Sequence, residues 1–120
     1  MTQKLFIPGR FPDFKKIIAA AKSSPHQYAD MKRNWTGIVY YEILQADLRK
    51  MGQAFIKLTW YERDKRRDPD NIVVAKKFIF DGLVQSGILP TDSRKGIMGW
   101  QETVVYGSRK QGVEMELTGG

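Results

Sequence analysis

Strict alternation of apolar and polar residues runs through residues 54–62, AFIKLTWYE. Ile56, Leu58 and Trp60 would face one way and the intervening side chains the other, which is typical of a strand with one buried face. Residues 3–8, QKLFIP, are shorter and end at a proline followed by a glycine, the punctuation expected after a strand. Both stretches are therefore predicted to be strands.

Three stretches have helical spacing instead. Residues 14–22 follow a Pro-Asp pair and stop at Ser-Ser-Pro, so they predict a short helix. A longer helix is predicted from about 28 to 50, where apolar residues recur every three or four positions, with Gly52 ending it. Residues 70–87 predict a third, with Asp70 or Asn71 as the N-cap and a glycine just past its end.

The rest of the chain completes a small layered domain. Residues 88–99 are predicted to be a loop, and residues 100–106 and 113–117 to form a hairpin around GSRKQG. Trp60 and Trp100 are both assigned to the core. The order strand, helices, strand, helix, hairpin predicts one α/β (α+β-like) domain over 1–120, a mixed sheet of about four strands packed against helices.

Charge and composition narrow the function. Twenty Lys and Arg against thirteen Asp and Glu give a formal charge of +7, which favours a polyanionic partner such as nucleic acid. The absence of cysteine excludes disulfides and thiolate metal sites and suits a reducing compartment. With neither a signal-peptide pattern nor a bilayer-spanning apolar stretch, the sequence predicts a cytoplasmic protein with no membrane partner.

Acidic residues nevertheless gather in residues 66–81, RRDPDNIVVAKKFIFD. At ~100° per residue, a helix would place Asp70, Lys77 and Asp81 on one stripe, with Lys76 about 120° away. Asp68 precedes the cap and would lie on the same side as Asp70. Crowded carboxylates need a cation, either a metal ion or a neighbouring arginine.

Ordinary structural roles can also explain these residues. Aspartates commonly cap helices, Lys77 and Asp81 have the spacing of a helical ion pair, and Arg66 or Arg67 could neutralise Asp68. Glu62 is expected on a solvated face. Basic residues flank the acids and would either hold DNA phosphates or form a solvated loop: Lys65, Arg66, Arg67, Lys76, Arg94 and Lys95.

A longer string of motifs resembles the RusA family of Holliday-junction resolvases. The resemblance rests on RRDPDNI, the lysines and FDGL that follow, an SG turn and the acid in ILPTDS. It extends to IPGRFP, to TWYERDKRRDPDN and to VEMEL near the end, and it is weakest from about 20 to 50. It implies a small α/β homodimer that cuts four-way DNA junctions with Mg²⁺, of the kind found in bacteria and their phages.

The resemblance also implies roles for individual residues. Asp68, Asp70 and Asp92 would be catalytic and would hold Mg²⁺, with Mn²⁺ as a substitute. Lys77 would be the catalytic lysine, but the family places its lysine closer to the acids, so Lys76 stays an alternative. Asp81 and Asn71, and Lys76 if it is not catalytic, would support the ligands without touching the metal.

Two other functions and two dimer surfaces stay open. The chain could be a non-catalytic nucleic-acid-binding protein whose acids are caps and ion pairs, or a nuclease of the same fold that cuts flaps or replication forks. One site per chain and a pseudo-twofold junction favour an isologous homodimer. It could pair through the strand face carrying Phe55 or through the helix carrying Phe78 and Phe80. Phe14 could be an exposed wedge or a packing residue.

Overall fold

A computed structural model describes residues 1–119. The strands are β1 Thr2–Pro8, β2 Ala54–Glu62, β3 Ile97–Tyr106 and β4 Gly112–Gly119, and the helices are α1 Phe14–Ser23, α2 Pro25–Ala46, α3 Pro69–Ile72 and α4 Lys76–Gln85. Buried residues of α2 and α4 join one face of the sheet in a single core. The predicted α+β layer fold, a four-stranded mixed sheet packed against helices, is confirmed.

Strand β2 has the bounds and the buried face that its alternation predicts. Ile56, Leu58 and Trp60 are at most 2% exposed. The residues between them are exposed or half-buried. The first strand and the α1 boundaries also agree with the sequence, and the Asp13 carboxylate accepts the first-turn N–H of Lys16 at 2.9 Å.

The predicted hairpin of the last two strands is wrong. The sheet order is β1-β4-β2-β3, so β2 lies between the two strands that were expected to pair. β3 runs parallel to β2, which requires a crossover, and α3 and α4 supply it. The loop after β3 then crosses the end of β2, where the Ser108 N–H donates to the Glu62 carbonyl at 3.0 Å.

The long helix starts and ends earlier than predicted. α2 begins at Pro25, where the Ser24 hydroxyl accepts the Gln27 N–H. It stops at Ala46 because Asp47 adopts the left-handed conformation, with φ 53°. A left-handed residue ends a helix as a C-terminal glycine does, so Gly52 does not terminate this one.

The third helical region is interrupted. Asp68, rather than Asp70 or Asn71, is the N-cap, and Pro69 occupies the first helical position. Residues 73–75 form a 3-10 turn between α3 and α4. Because a 3-10 helix turns ~120° per residue, the predicted stripe from Asp70 to Asp81 does not carry across this turn. No helix within residues 1–119 is both long and apolar enough to cross a bilayer.

Candidate functional site: an acid pair at the end of strand β2

A buried ion pair fixes the loop that carries the first two acids. Glu62 is 1% exposed and Arg67 is 8% exposed. The guanidinium donates to both carboxylate oxygens of Glu62 at 2.9 Å and to the Phe11 carbonyl at 2.7 Å. The Gln111 amide also donates to Glu62. Charge-assisted bidentate pairing of this kind holds a loop in one geometry.

Arg67 and Glu62 therefore have roles that the sequence assigned differently. Arg67 was placed among the DNA-contacting residues, but its guanidinium is buried and each of its three nitrogens donates to Glu62 or Phe11, so it is not free to bind phosphate. The expectation that Glu62 is solvated is wrong because Glu62 continues the buried face of β2. The Tyr106 hydroxyl donates to the Arg67 carbonyl at 2.6 Å and holds the same loop from β3.

Asp68 ends this fixed loop, Asp70 lies in the first turn of α3, and both side chains are exposed. Asp68 occupies the N-cap position of α3, but its side chain makes no capping hydrogen bond. In the described part of the chain neither residue forms an ion pair, although Arg66 and Arg67 are adjacent. Capping by the Asp68 side chain and neutralisation by the arginines are thus both absent.

Asp64 is the acid in this loop that interacts with the nearby arginines Arg10 and Arg66. The Arg10 guanidinium lies 3.5 Å from its carboxylate, and the backbone N–H of Arg66 donates to that carboxylate at 3.0 Å. The Arg66 N–H, together with Arg10, lowers the pKa of Asp64 below its ordinary value. Asp64, and not Asp68, is therefore the acid that neighbouring arginines stabilise.

Tyr106 reports how close the acid pair lies to the end of β3. Burial raises the pKa of the Tyr106 phenol, and the negative charges of Asp68, Glu62 and Asp70 raise it further. Since a nearby anion disfavours a phenolate, these carboxylates share one electrostatic neighbourhood. The acid pair lies beside the C-terminal ends of β2 and β3.

Asp92 lies at the opposite end of strands β2 and β3. It precedes β3, and the Ala54 N–H at the start of β2 donates to the Gly96 carbonyl at 2.9 Å. Because β2 and β3 are parallel, residues that follow β2 and residues that precede β3 are separated by the length of a strand. β3 has ten residues, so that length is about 30 Å at ~3.3 Å per residue.

One chain consequently does not assemble the predicted three-acid site. Across residues 1–119, no three His, Asp or Glu side chains group closely enough to hold a metal ion. Asp68 and Asp70 alone still suit Mg²⁺, since that ion is commonly bound by one or two carboxylates with water completing its coordination. The donor set fits the ion, with the remaining coordination positions left to water or to ligands from another molecule.

The two candidate lysines point to different parts of the molecule. The Lys76 Nζ lies 3.4 Å from a Glu102 carboxylate oxygen and 5.8 Å from the centre of the Trp100 ring, on β3. The Lys77 Nζ lies 3.9 Å from Asp81, confirming the predicted helical pair, and Asp81 also lies 3.8 Å from Lys32 of α2. Lys76 thus faces the strand that leads to the acid pair.

Several other predicted residues are accessible. Asn71 is half-buried on α3, and four candidate DNA-contacting residues are exposed: Lys65, Arg66, Arg94 and Lys95. Lys65 and Arg66 lie close to the acid pair in sequence, whereas Arg94 and Lys95 lie beside Asp92 at the opposite end of the strands. Trp100 is 50% exposed, so its assignment to the core is wrong, whereas that of Trp60 is confirmed.

Sequence reasoning missed three supporting residues. Glu62 and Tyr106 anchor the acid loop, and Glu102 accepts a hydrogen bond from the Trp60 indole at 2.9 Å while pairing with Lys76. Glu62 was detectable because it has the same parity as Ile56, Leu58 and Trp60 along β2. The other two depend on the pairing of β2 with β3, which no local pattern shows.

Comparisons with known proteins do not identify the chain. No protein-family model matches it, and a search of curated proteins finds no significantly similar sequence.

Proposed function

We propose that this protein is a Mg²⁺-dependent endodeoxyribonuclease that acts on four-way DNA junctions as a homodimer. The observation that carries the proposal is the pair Asp68 and Asp70, two exposed carboxylates that form no ion pair within residues 1–119 of a chain with net charge +7. A basic protein has many cations, yet in this described part of the chain none of them pairs with these acids. That arrangement suits a divalent ion brought next to a polyanion.

Each side chain then has a chemical task. Asp68 and Asp70 would hold Mg²⁺ (or Mn²⁺), which would supply Lewis-acid stabilisation of a phosphate and activation of water when bound. Lys76 would offset charge developing on the phosphate, and we favour it over Lys77 because Lys76 contacts β3, whereas Lys77 pairs with Asp81 of its own helix. Lys65 and Arg66 would hold the neighbouring backbone phosphates.

A second copy of the chain would supply the missing acid. β3 is an edge strand of ten residues with no lysine or proline to discourage pairing, and it carries the exposed side chains of Met98, Trp100 and Val105. Twofold pairing of two β3 strands is antiparallel, so the start of one lies beside the end of the other. Asp92 of the partner subunit would then approach Asp68 and Asp70.

Burial of the helix face narrows the choice of dimer surface. Phe78 is 2% exposed and Phe80 is half-buried against Trp100, so the helix that carries them is committed to its own chain. Phe55 is 39% exposed on the strand next to β3. The β2–β3 side of the sheet is therefore the surface that we assign to the dimer, and its two sites suit the pseudo-twofold symmetry of a four-way junction.

Nuclease activity is tested on labelled junction, fork and linear duplex DNA, each with Mg²⁺ and with excess EDTA. We expect paired nicks in the junction that EDTA abolishes. Faster cutting of the fork than of the junction would support nuclease activity but assign it a replication fork as the substrate. Binding without cutting on every DNA would contradict the proposal.

An Asp70→Asn variant separates binding from chemistry. It removes a ligand charge with little change in shape, so we expect junction affinity within about threefold of wild type and a loss of cutting of at least about a hundredfold. Asp30→Asn is the matched control, since Asp30 is an exposed acid on α2 that pairs with Arg33. Wild-type cutting by Asp70→Asn would refute the role of this acid.

A non-catalytic nucleic-acid-binding protein is the second candidate. It is favoured by the absence of a three-acid cluster within residues 1–119 of a single chain. In that case Asp70→Asn would strengthen DNA binding slightly, because it removes a negative charge from a basic surface. DNA binding that does not need a metal ion, with no cleavage of any DNA, would support this candidate over the nuclease.

A further inference from the structure

The N-terminal half of α1 presents an aromatic side chain to solvent. Phe14 is 49% exposed, although a phenylalanine is more often buried. With Ile18, Ala19, Lys15 and Lys22, all on α1, it lines a shallow open groove of about 320 Å³. The groove therefore combines apolar side chains with two lysines.

The chain holds Phe14 rigidly. Three residues earlier, Phe11 is 3% exposed, and its ring packs against Trp35 and Trp60 at centroid distances of 4.5 and 5.5 Å. Asp13 caps the helix at the residue before Phe14. The aromatic ring thus projects from an anchored turn and needs little ordering on binding.

The groove lies next to the acid pair. α1 packs against α3, the helix that Asp68 begins, and Arg67 donates to the Phe11 carbonyl at 2.7 Å. The same buried arginine therefore connects the segment before Phe14 to the loop that carries Asp68. The helix that begins with Phe14 is therefore a direct neighbour of the helix that Asp68 begins.

Charge identifies the kind of partner. The lining contains two lysines and no acid, and within the described chain neither Lys15 nor Lys22 forms an ion pair. Free cations beside an exposed ring are the combination that binds unpaired nucleotides, in which the base stacks on the ring and the lysines neutralise the phosphates.

We infer that Phe14 is a stacking platform for an unpaired nucleobase, with Lys15 and Lys22 binding the flanking phosphates. This inference rests on the proposed action on branched DNA and adds that a base at the branch point leaves the stack. The energy of stacking on Phe14 and of the phosphate contacts would offset the cost of unpairing that base. The acid pair would then face a strand held in a distorted conformation.

The test uses a four-way junction with 2-aminopurine at the branch point, in EDTA so that no strand is cut. Wild-type protein should raise the emission of the probe, whereas Phe14→Ala should abolish the rise and weaken binding about tenfold. Phe14→Trp should retain the affinity, and Phe14→Leu, which is apolar but cannot stack, should lose the rise. Tyr41→Ala is the control because Tyr41 is 59% exposed on α2, outside the groove.

The outcomes separate this inference from the nuclease proposal. An unchanged emission rise and unchanged affinity in Phe14→Ala and Phe14→Leu would overturn the stacking role, even if the wild type cuts junctions in Mg²⁺. If the emission rise depends on Phe14 but the protein cuts no DNA, the stacking role would be supported and the nuclease proposal would be contradicted. Phe14-dependent binding to anionic vesicles without any emission rise would assign the groove to lipid and overturn the inference.

Charge substitutions give an independent measurement. Lys15→Ala combined with Lys22→Ala should make junction binding less dependent on salt. The plot of log K against log[salt] should become less steep, with the magnitude of its negative slope reduced by about 1 to 2, because two phosphate contacts are lost. An unchanged slope would contradict the assigned phosphate contacts.

Discussion

Arg67 shows how a single buried charge can serve a site that it does not enter. Its substitution by methionine would leave Glu62 buried without its bidentate partner. Breaking such a pair typically costs about 3–5 kcal/mol, and we expect a loss of that size in the free energy of unfolding, measured by urea denaturation. Arg66→Met, at an exposed neighbour, should change stability by less than about 0.5 kcal/mol. Equal effects for the two variants would contradict the anchoring role.

Tyr106 should make stability depend on alkaline pH. Its pKa is raised above 10.0 by burial and by the nearby acids, so the folded state holds the phenolic proton more tightly than the unfolded chain. The contribution is complete below pH 10 and is lost as pH rises through the folded pKa. Tyr106→Phe should be less stable by about 1 kcal/mol at pH 8 through the lost hydrogen bond. The gap should narrow above pH 10 in urea titrations, and a widening gap would contradict the assignment.

Residue-scale prediction from the sequence succeeded where one element was sufficient. The Lys77–Asp81 pair needs only helical spacing and is confirmed, whereas the ligand role of the exposed acids Asp68 and Asp70 stays a prediction. The position of Asp92 depends on β3 being parallel to β2, which local patterns do not show. Arg67 was misassigned because its partner Glu62 was placed on the wrong face.

At the scale of elements, the α2–α4 contact depends on a glycine. A Cβ at Gly82 would overlap the Val39 side chain of α2, whereas a Cβ at Gly37 would meet nothing within 4 Å. Gly82→Ala should therefore destabilise the fold by about 1–3 kcal/mol through overpacking. Gly37→Ala should stabilise α2 by up to about 1 kcal/mol through helix propensity. Thermal unfolding of the pair checks both signs, and stabilisation by Gly82→Ala would contradict the packing.

Element prediction depended on whether the determining interactions were local. Strand β2 agrees with its alternation, and α1 agrees with its capping residues, because both signals lie within the element. The end of α2 at a left-handed Asp47 and the 3-10 turn after α3 lack such a signal. The hairpin prediction failed because adjacency along the chain was taken for pairing in the sheet.

At the scale of the whole molecule, the exposed edge strand should control both association and cutting. Val105→Lys places a charge on β3, where lysine blocks edge-to-edge pairing. We expect a folded monomer by sedimentation, with junction cutting reduced at least about tenfold by the lost second chain. Tyr41→Lys, on α2, should leave both properties unchanged. A dimeric, fully active Val105→Lys protein would remove β3 from the interface.

Mixing two inactive variants tests the central claim, that acids from two chains form one metal site, most directly. Asp70→Asn and Asp92→Asn are each expected to be inactive as homodimers. In a mixed dimer, one site would combine both substitutions and the other would be intact, so random exchange should restore roughly a quarter of the wild-type nicks. Junction nicking in Mg²⁺ is measured after the variants are unfolded and refolded together. Failure of the mixture to cut, with mixed dimers shown to form, would contradict the shared site.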